Sequence, residues 1–164
     1  MQGSKLEEIQ FDLPGIEEKM RERSRGILHY IVMMVALSRD KNISHEELIN
    51  WIQEQFEIRG YYHETLLQYG EGNKELFLQD FVKGRSLLYD DIKIFKDERG
   101  DYEVRTSSWW LHQEDAIFFY FDIEKEEILN YVQKLAFLKA KRLGIVLDIA
   151  YHNNIEYAKI SAQH

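Results

Sequence analysis

The chain has 164 residues, of which 45% are hydrophobic and 13% aromatic, and its formal net charge is −8. This length predicts a single domain over 1–164, and the mixture of apolar and charged residues excludes a disordered or fibrous protein. The absence of cysteine excludes disulfides and thiolate catalysis, while the acidic balance argues against binding to nucleic acid.

The longest apolar stretch is "GILHYIVMMVAL", residues 26–37. It is too short to span a bilayer, which takes roughly 20 residues, and it lies too far behind acidic residues to be a secretory signal. We therefore expect a cytoplasmic protein without a membrane partner. The same stretch is wide and rich in methionine, which predicts association into a homo-oligomer.

The N-terminal third is predicted to be largely helical. Alternating apolar residues give a short strand over 9–13, and helical spacing then predicts a helix over about 15–38. A second helix begins at Ser44, where Glu47 stands three residues on and completes a capping-box signature. Its apolar stripe consists of Leu48, Ile52 and Phe56.

Two further helices precede the first strands. Gly60 and Gly70 bound a short helix, and Asn73 is the expected cap of the next. Gly84 lies on the apolar face of that helix, where the lack of a side chain would permit a close contact with a neighbouring helix. The residues predicted to share this face are Phe77, Phe81, Gly84 and Leu88.

Strands are predicted next. Two alternating runs flank a turn at Arg99–Gly100, which indicates a β-hairpin over 91–106. The following run, "AIFFYFDI" over 116–123, is apolar on both faces of an extended chain. Two-sided apolarity predicts a central strand that is covered by helices.

The C-terminal part is predicted to contain one long helix over roughly 124–143, with Asp122 as its cap and Gly144 at its end. Acidic residues in its first turn and basic residues in its last favour the helix dipole. The whole order predicts an α+β fold. N-terminal helices pack on a mainly antiparallel sheet of two hairpins and a central strand, with the long helix before the last hairpin.

The last hairpin is predicted to turn at Asn153–Asn154, because asparagine tolerates positive φ. A two-residue turn there places Asp148 opposite Lys159 on the paired strand. Asp148 interrupts an apolar run, so a cross-strand ion pair with Lys159 is the expected way to accommodate its charge.

Sequence motifs for several chemistries are missing. "GEGNKE" lacks both the third glycine of the dinucleotide fingerprint and the Gly-Lys-Ser/Thr of a phosphate-binding loop. His45 and His63 each precede a glutamate, but neither has the second histidine of a zinc-protease helix. No Gly-x-Ser-x-Gly nucleophile motif occurs. We therefore expect no metal site and no cofactor.

A winged-helix DNA-binding regulator is an alternative, because helices precede a hairpin whose basic residues are Lys93, Lys96, Arg99 and Arg105. The segment that would serve as recognition helix, "GYYHETLLQY", has no lysine or arginine. Contacts to phosphates and bases rely on such side chains, so the sequence disfavours this alternative.

One constellation of aromatic and polar residues suggests a binding site. A histidine beside a carboxylate suits general base catalysis, and aromatic walls with a few polar groups are typical of small-molecule pockets. The candidate ligand-binding residues are Trp109, Trp110, His112, Glu114, Tyr61, Tyr62 and His63, with Glu64 and Asp115 nearby. The same residues also suit a purely structural role, with one tryptophan in the core.

These patterns leave two functions from different classes. The first is non-catalytic binding of a small molecule or protein partner in a pocket between the sheet and the N-terminal helices. The second is a hydrolase or lyase that uses His112 with Glu114 or Asp115.

Overall fold

The computed structural model describes residues 15–162, and within this range it has seven helices and four strands. The predicted strand over 9–13 lies outside the described residues. In chain order the elements are α1 (Ile16–Asp40), α2 (His45–Ile58), α3 (Tyr61–Tyr69), α4 (Lys74–Arg85), β1 (Asp91–Lys96), β2 (Tyr102–Ser107), α5 (Trp109–His112), α6 (Ala116–Phe121), α7 (Lys125–Arg142), β3 (Ile145–His152) and β4 (Ile155–Ala162).

The strands form one antiparallel sheet in the order β1-β2-β4-β3. Both predicted hairpins are present, the long helix α7 precedes the second, and the α+β prediction is confirmed. Asn153 and Asn154 turn the second hairpin at φ 52° and 61°. As predicted, Asp148 stands opposite Lys159, but both are exposed and form no ion pair with each other.

The predicted central strand over 116–123 is wrong, because this segment forms the short helix α6. Asp115 caps it by accepting a hydrogen bond from the Ile117 amide at 3.0 Å, and Asp122 ends it in the left-handed region at φ 50°. Phe118 is buried, whereas Phe119 is 85% exposed. Only one side of the aromatic run faces the core, whereas a central strand would be buried on both faces.

Loss of that strand does not interrupt the sheet, because β2 pairs directly with β4. Asp122 also does not cap α7, contrary to the prediction. Glu124 takes that position and forms a capping box with Glu127. Asp122 is unsuited to the N-cap because its φ of 50° lies outside the extended region in which an N-cap residue presents its side chain to the helix.

The other helix boundaries follow local chemistry. Ser44 and Glu47 form the predicted capping box of α2, and Asn73 accepts from the Leu76 amide to cap α4, also as predicted. Gly60 precedes α3 in the left-handed conformation at φ 76°. The two side-chain caps pair amides that have no partner within their own helix, and Gly60 supplies the backbone conformation in which α3 begins.

Helices α4 and α7 cover one face of the sheet. The buried positions of β2 and β4 alternate with exposed ones, as expected for an antiparallel sheet with one solvated face. The core on that covered face includes Phe77, Phe81, Val104, Ala140, Ala158 and Ile160. A second core joins α1, α2, α6 and α7, and it includes Leu28, Val32, Ile49, Trp110, Phe118 and Ile128.

The methionine-rich face of α1 is largely covered within the chain. Val32, Val35 and Ala36 are buried, and Met34 packs partly against the core, whereas Leu37 is exposed. Association between copies of the chain through this face stays a prediction. None of the helices in the described range is long and apolar enough to cross a bilayer.

Candidate functional site

A cavity of about 490 Å³ lies among α1, α2, α3, α4 and α7, and we call it the interhelical pocket. Apolar side chains from all these helices line it, because the helices turn their apolar stripes towards one another. Its apolar lining includes Ile31, Met34, Phe56, Phe81, Val132 and Leu135. The pocket therefore lies between helices, beside rather than against the sheet.

Gly84 explains part of the open space. It lies in the middle of the pocket lining on α4, and a Cβ built there would meet nothing within 4 Å. The close helix contact that this glycine permits is therefore not made at its Cβ position. The missing side chain leaves room in the pocket wall, where a larger residue would project into it.

A buried ion pair supports one wall of the pocket. Arg85 lines the pocket, and its Nε and Nη2 donate to the two carboxylate oxygens of Glu156 at 2.6 and 3.2 Å. The Glu156 carboxylate also accepts from Tyr89 and Thr106, both at 3.4 Å. Burial and the adjacent Glu156 charge raise the pKa of Tyr89, so this hydroxyl remains a donor at neutral pH.

Further polar groups line the same pocket. Tyr62 donates its hydroxyl to the buried Gln53 side chain, and burial raises the pKa of Tyr62. Tyr131 is 3% exposed, and burial raises its pKa to about 12. Its hydroxyl makes no hydrogen bond to any residue in the described range. The pocket is thus apolar with a few polar groups, as small-molecule sites are.

One end of the pocket is closed by Lys139. Its Nζ donates to Asp80 Oδ2 at 2.5 Å and to the Tyr61 hydroxyl at 2.8 Å. Burial alone would lower the pKa of Lys139, but the bonds to Asp80 and Tyr61 outweigh it and raise the pKa. Beyond these three side chains lies a second, more polar cavity of about 320 Å³, which they also line.

The predicted site residues do not gather in one place. Tyr61 and Tyr62 line the interhelical pocket, whereas His63 is exposed and does not line it. Trp109 and Glu114 line a separate cavity of about 250 Å³ between α1 and the α5 region. The sequence could not separate the two groups because adjacency along the chain does not report which helices pack together.

Trp110 lies in the core. It is 1% exposed, its Nε1 donates to the Leu88 carbonyl at 3.0 Å, and its ring stacks on Phe118 with centroids 6.2 Å apart. Trp109 is half-buried, and its Nε1 is sealed from solvent without a partner among the described residues. The two neighbouring rings therefore differ in burial, with that of Trp110 further inside.

The carboxylate of Asp115, which is close to His112 in sequence, pairs with residues of α1 and not with His112. Asp115 accepts from Arg25 Nε at 3.0 Å and lies 3.2 Å from His29 Nε2. His112 is exposed, and its Nδ1 lies 3.4 Å from the Asn154 amide nitrogen. Sequence reasoning missed the His29–Asp115 pair because the two residues are 86 positions apart, and no local pattern reports such a contact.

Asp115 links the start of α6 to α1 through its hydrogen bonds, and its neighbours in the fold favour the ionised carboxylate. Burial alone would raise its pKa, but the Ile117 amide, His29 and Arg25 outweigh burial and lower the pKa below its usual 3.8. A carboxyl whose pKa is depressed by folding stabilises the fold above its unfolded pKa. That contribution is lost as the pH falls through the folded pKa.

Replacing Asp115 by alanine is expected to reduce the free energy of unfolding by about 2 kcal/mol at pH 7, since a helix cap and a charged hydrogen bond are lost. Urea denaturation measures this loss. Glu114→Ala is the matched control, because Glu114 is exposed and surface substitutions change stability by about 0.5 kcal/mol or less. Below pH 3.8 the gap between wild type and D115A should shrink, and a gap independent of pH would contradict the role of the charge.

The described residues hold no group of three or more His, Asp or Glu side chains that could bind a metal ion. In the β1–β2 hairpin, β2 lies inside the sheet and pairs with β4. The basic side chain of Arg105 stacks over Phe95, 4.4 Å from the ring centroid, and pairs with Glu103. It is therefore already engaged within the sheet.

Comparison with known proteins gives one informative match. No family model matches the chain, and no solved structure matches it significantly. The uncharacterized protein YxnB of Bacillus subtilis (strain 168) is 38% identical to it over 145 residues, which are 88% of this chain and 90% of that protein. The similarity thus extends over most of both chains.

Proposed function

This chain belongs to the same family as the uncharacterized protein YxnB of Bacillus subtilis, and from that premise we propose that it binds a small apolar molecule, without catalysis, in the interhelical pocket. The observation that carries the proposal is the cavity of about 490 Å³ with its mainly apolar lining from five helices. This volume lies within the range of small-molecule sites, roughly 300–1,000 Å³.

Apolar burial supplies the binding energy in such a site. The aromatic rings of Phe56, Phe81 and Tyr62 line the pocket, and an apolar ligand between them removes their surface and its own from water. The few polar groups fix the orientation of the ligand. The proposal is for binding without catalysis because the His29–Asp115 pair and the His45–Glu127 pair both lie outside this pocket lining.

The proposal predicts that N-phenyl-1-naphthylamine, a neutral dye that fluoresces in apolar surroundings, binds the wild-type protein with one saturable site. Gly84→Phe is expected to weaken that binding at least tenfold, because a Cβ at Gly84 meets open space and the phenyl ring would occupy the pocket. Fluorescence titration of both proteins measures the dissociation constants.

Gly26→Phe is the matched control. Gly26 is also a helical glycine whose Cβ would meet nothing within 4 Å, but it lies on α1 outside the pocket lining. Both substitutions replace glycine within a helix, so they alter helix propensity similarly. Loss of dye binding in G84F alone supports the pocket, whereas equal binding in both variants, or no binding to wild type, contradicts the proposed function.

A further inference from the structure

Resting on the proposed function, we infer that the molecule bound in the interhelical pocket is an organic anion, an apolar body that carries a carboxylate- or sulfonate-type group accepting a hydrogen bond from Arg85. Two observations on the pocket lining support the inference. They are a guanidinium nitrogen without an acceptor among the described residues and two further buried polar groups without partners there.

Arg85 is 6% exposed, yet only two of its three nitrogens bind Glu156. The third, Nη1, makes no hydrogen bond to any residue in the described range and is not sealed from solvent. Arg85 lines the interhelical pocket, where a ligand would be close enough to accept from Nη1. A buried guanidinium N–H gains most from a charged acceptor, because charge-assisted hydrogen bonds are the stronger kind.

Two other buried groups repeat this pattern. The hydroxyl of Tyr131 and the amide nitrogen of Gln53 have no hydrogen-bond partner among residues 15–162, although the two residues are only 3% and 7% exposed. Neither atom is sealed from solvent, and both residues line the interhelical pocket. Because both donors have solvent access and no acceptor among the described residues, a ligand with acceptor atoms can pair with them, which a hydrocarbon cannot.

The cations of the pocket lining are already paired. Arg85 binds the Glu156 carboxylate and Lys139 binds Asp80, so net charge on the lining does not by itself select an anion. The open Nη1 donor of Arg85 is what favours a charged acceptor.

Two dyes with one apolar body test the inference. 1-Anilinonaphthalene-8-sulfonate differs from N-phenyl-1-naphthylamine by its sulfonate group. We expect the wild-type protein to bind the sulfonate at least tenfold more tightly, since a hydrogen bond to a charged group supports a preference of that order. G84F should lose both dyes, which shows that both bind in the interhelical pocket.

Arg85→Lys is the first variant, because lysine keeps the charge beside Glu156 but removes Nη1. The preference for the sulfonate should fall severalfold in R85K and remain in the control Arg105→Lys, whose side chain lies on the exposed face of β2. The double variant Arg85→Gln with Glu156→Gln removes both charges at once, and circular dichroism checks its fold. In the folded double variant the preference should disappear while binding of the neutral dye persists.

The outcomes separate the two proposals. If neither dye binds the wild-type protein, the proposed function fails. If the neutral dye binds and G84F blocks it, but the sulfonate binds no more tightly, the pocket stands and the anion inference is overturned. A tenfold preference that survives unchanged in R85K also overturns the assignment of Arg85.

Discussion

Replacing Glu156 by alanine is expected to lower the free energy of unfolding by about 3 to 5 kcal/mol, because it leaves the Arg85 guanidinium buried without its counterion. Glu156 is fully buried and accepts from Arg85, Tyr89 and Thr106. One carboxylate therefore joins α4 to β2 and β4. Equilibrium urea denaturation measures the loss.

The control for E156A is Glu103→Ala on the neighbouring strand β2. Glu103 pairs with Arg105 at 2.6 Å, but Arg105 is exposed, and exposed ion pairs contribute about 0 to 1 kcal/mol. A second comparison is the double variant Arg85→Met with Glu156→Leu. It removes both charges and should recover much of the stability, since apolar replacements of buried pairs are often tolerated. Equal losses in E156A and E103A would contradict a buried pair.

Replacing Trp110 by alanine should likewise cost about 3 to 5 kcal/mol of unfolding free energy, the range found for large aromatic residues in cores. Trp110 packs between Tyr89 and Phe118 and donates to the Leu88 carbonyl. That carbonyl also accepts from Ser108, so most of the loss comes from the vacated core volume. Urea or thermal denaturation gives the value.

Trp51→Ala is the matched control, because Trp51 is an exposed tryptophan on α2 and its truncation should change stability by about 0.5 kcal/mol or less. Dye binding in Trp110→Phe, which keeps an aromatic ring in the core, separates packing from ligand contact. The structure predicts unchanged binding, because Trp110 does not line the interhelical pocket. A stable W110A protein that loses dye binding would instead return Trp110 to the ligand site.

Both predictions concern residues that the sequence placed differently or did not place at all. Trp110 is a candidate ligand contact or a core residue by sequence, and the structure buries it among apolar side chains. No local sequence pattern links Arg85 with Glu156, because they are 71 positions apart and charged residues are usually exposed. The pocket lining shows the same limit, since Gly84 and Arg85 of α4 line one pocket with Tyr131 of α7, which lies far from them along the chain.

The sequence alone determined the features that depend on neighbouring residues. The capping residues Ser44 and Asn73 begin α2 and α4, and the Asn153–Asn154 turn sets the register of β3 with β4. Such features are local because a cap or a two-residue turn is satisfied within a few positions of the chain. The α+β class followed from their order.

Tertiary structure decided what depends on distant partners. A short apolar run such as 116–121 suits a strand or a helix equally, and it became α6 where Asp115 meets Arg25 and His29 of α1. The pairing of β2 with β4 and the interhelical pocket likewise arise from contacts between distant segments. Burial and charge pairing across such distances are properties of the packed chain, which no window of sequence contains.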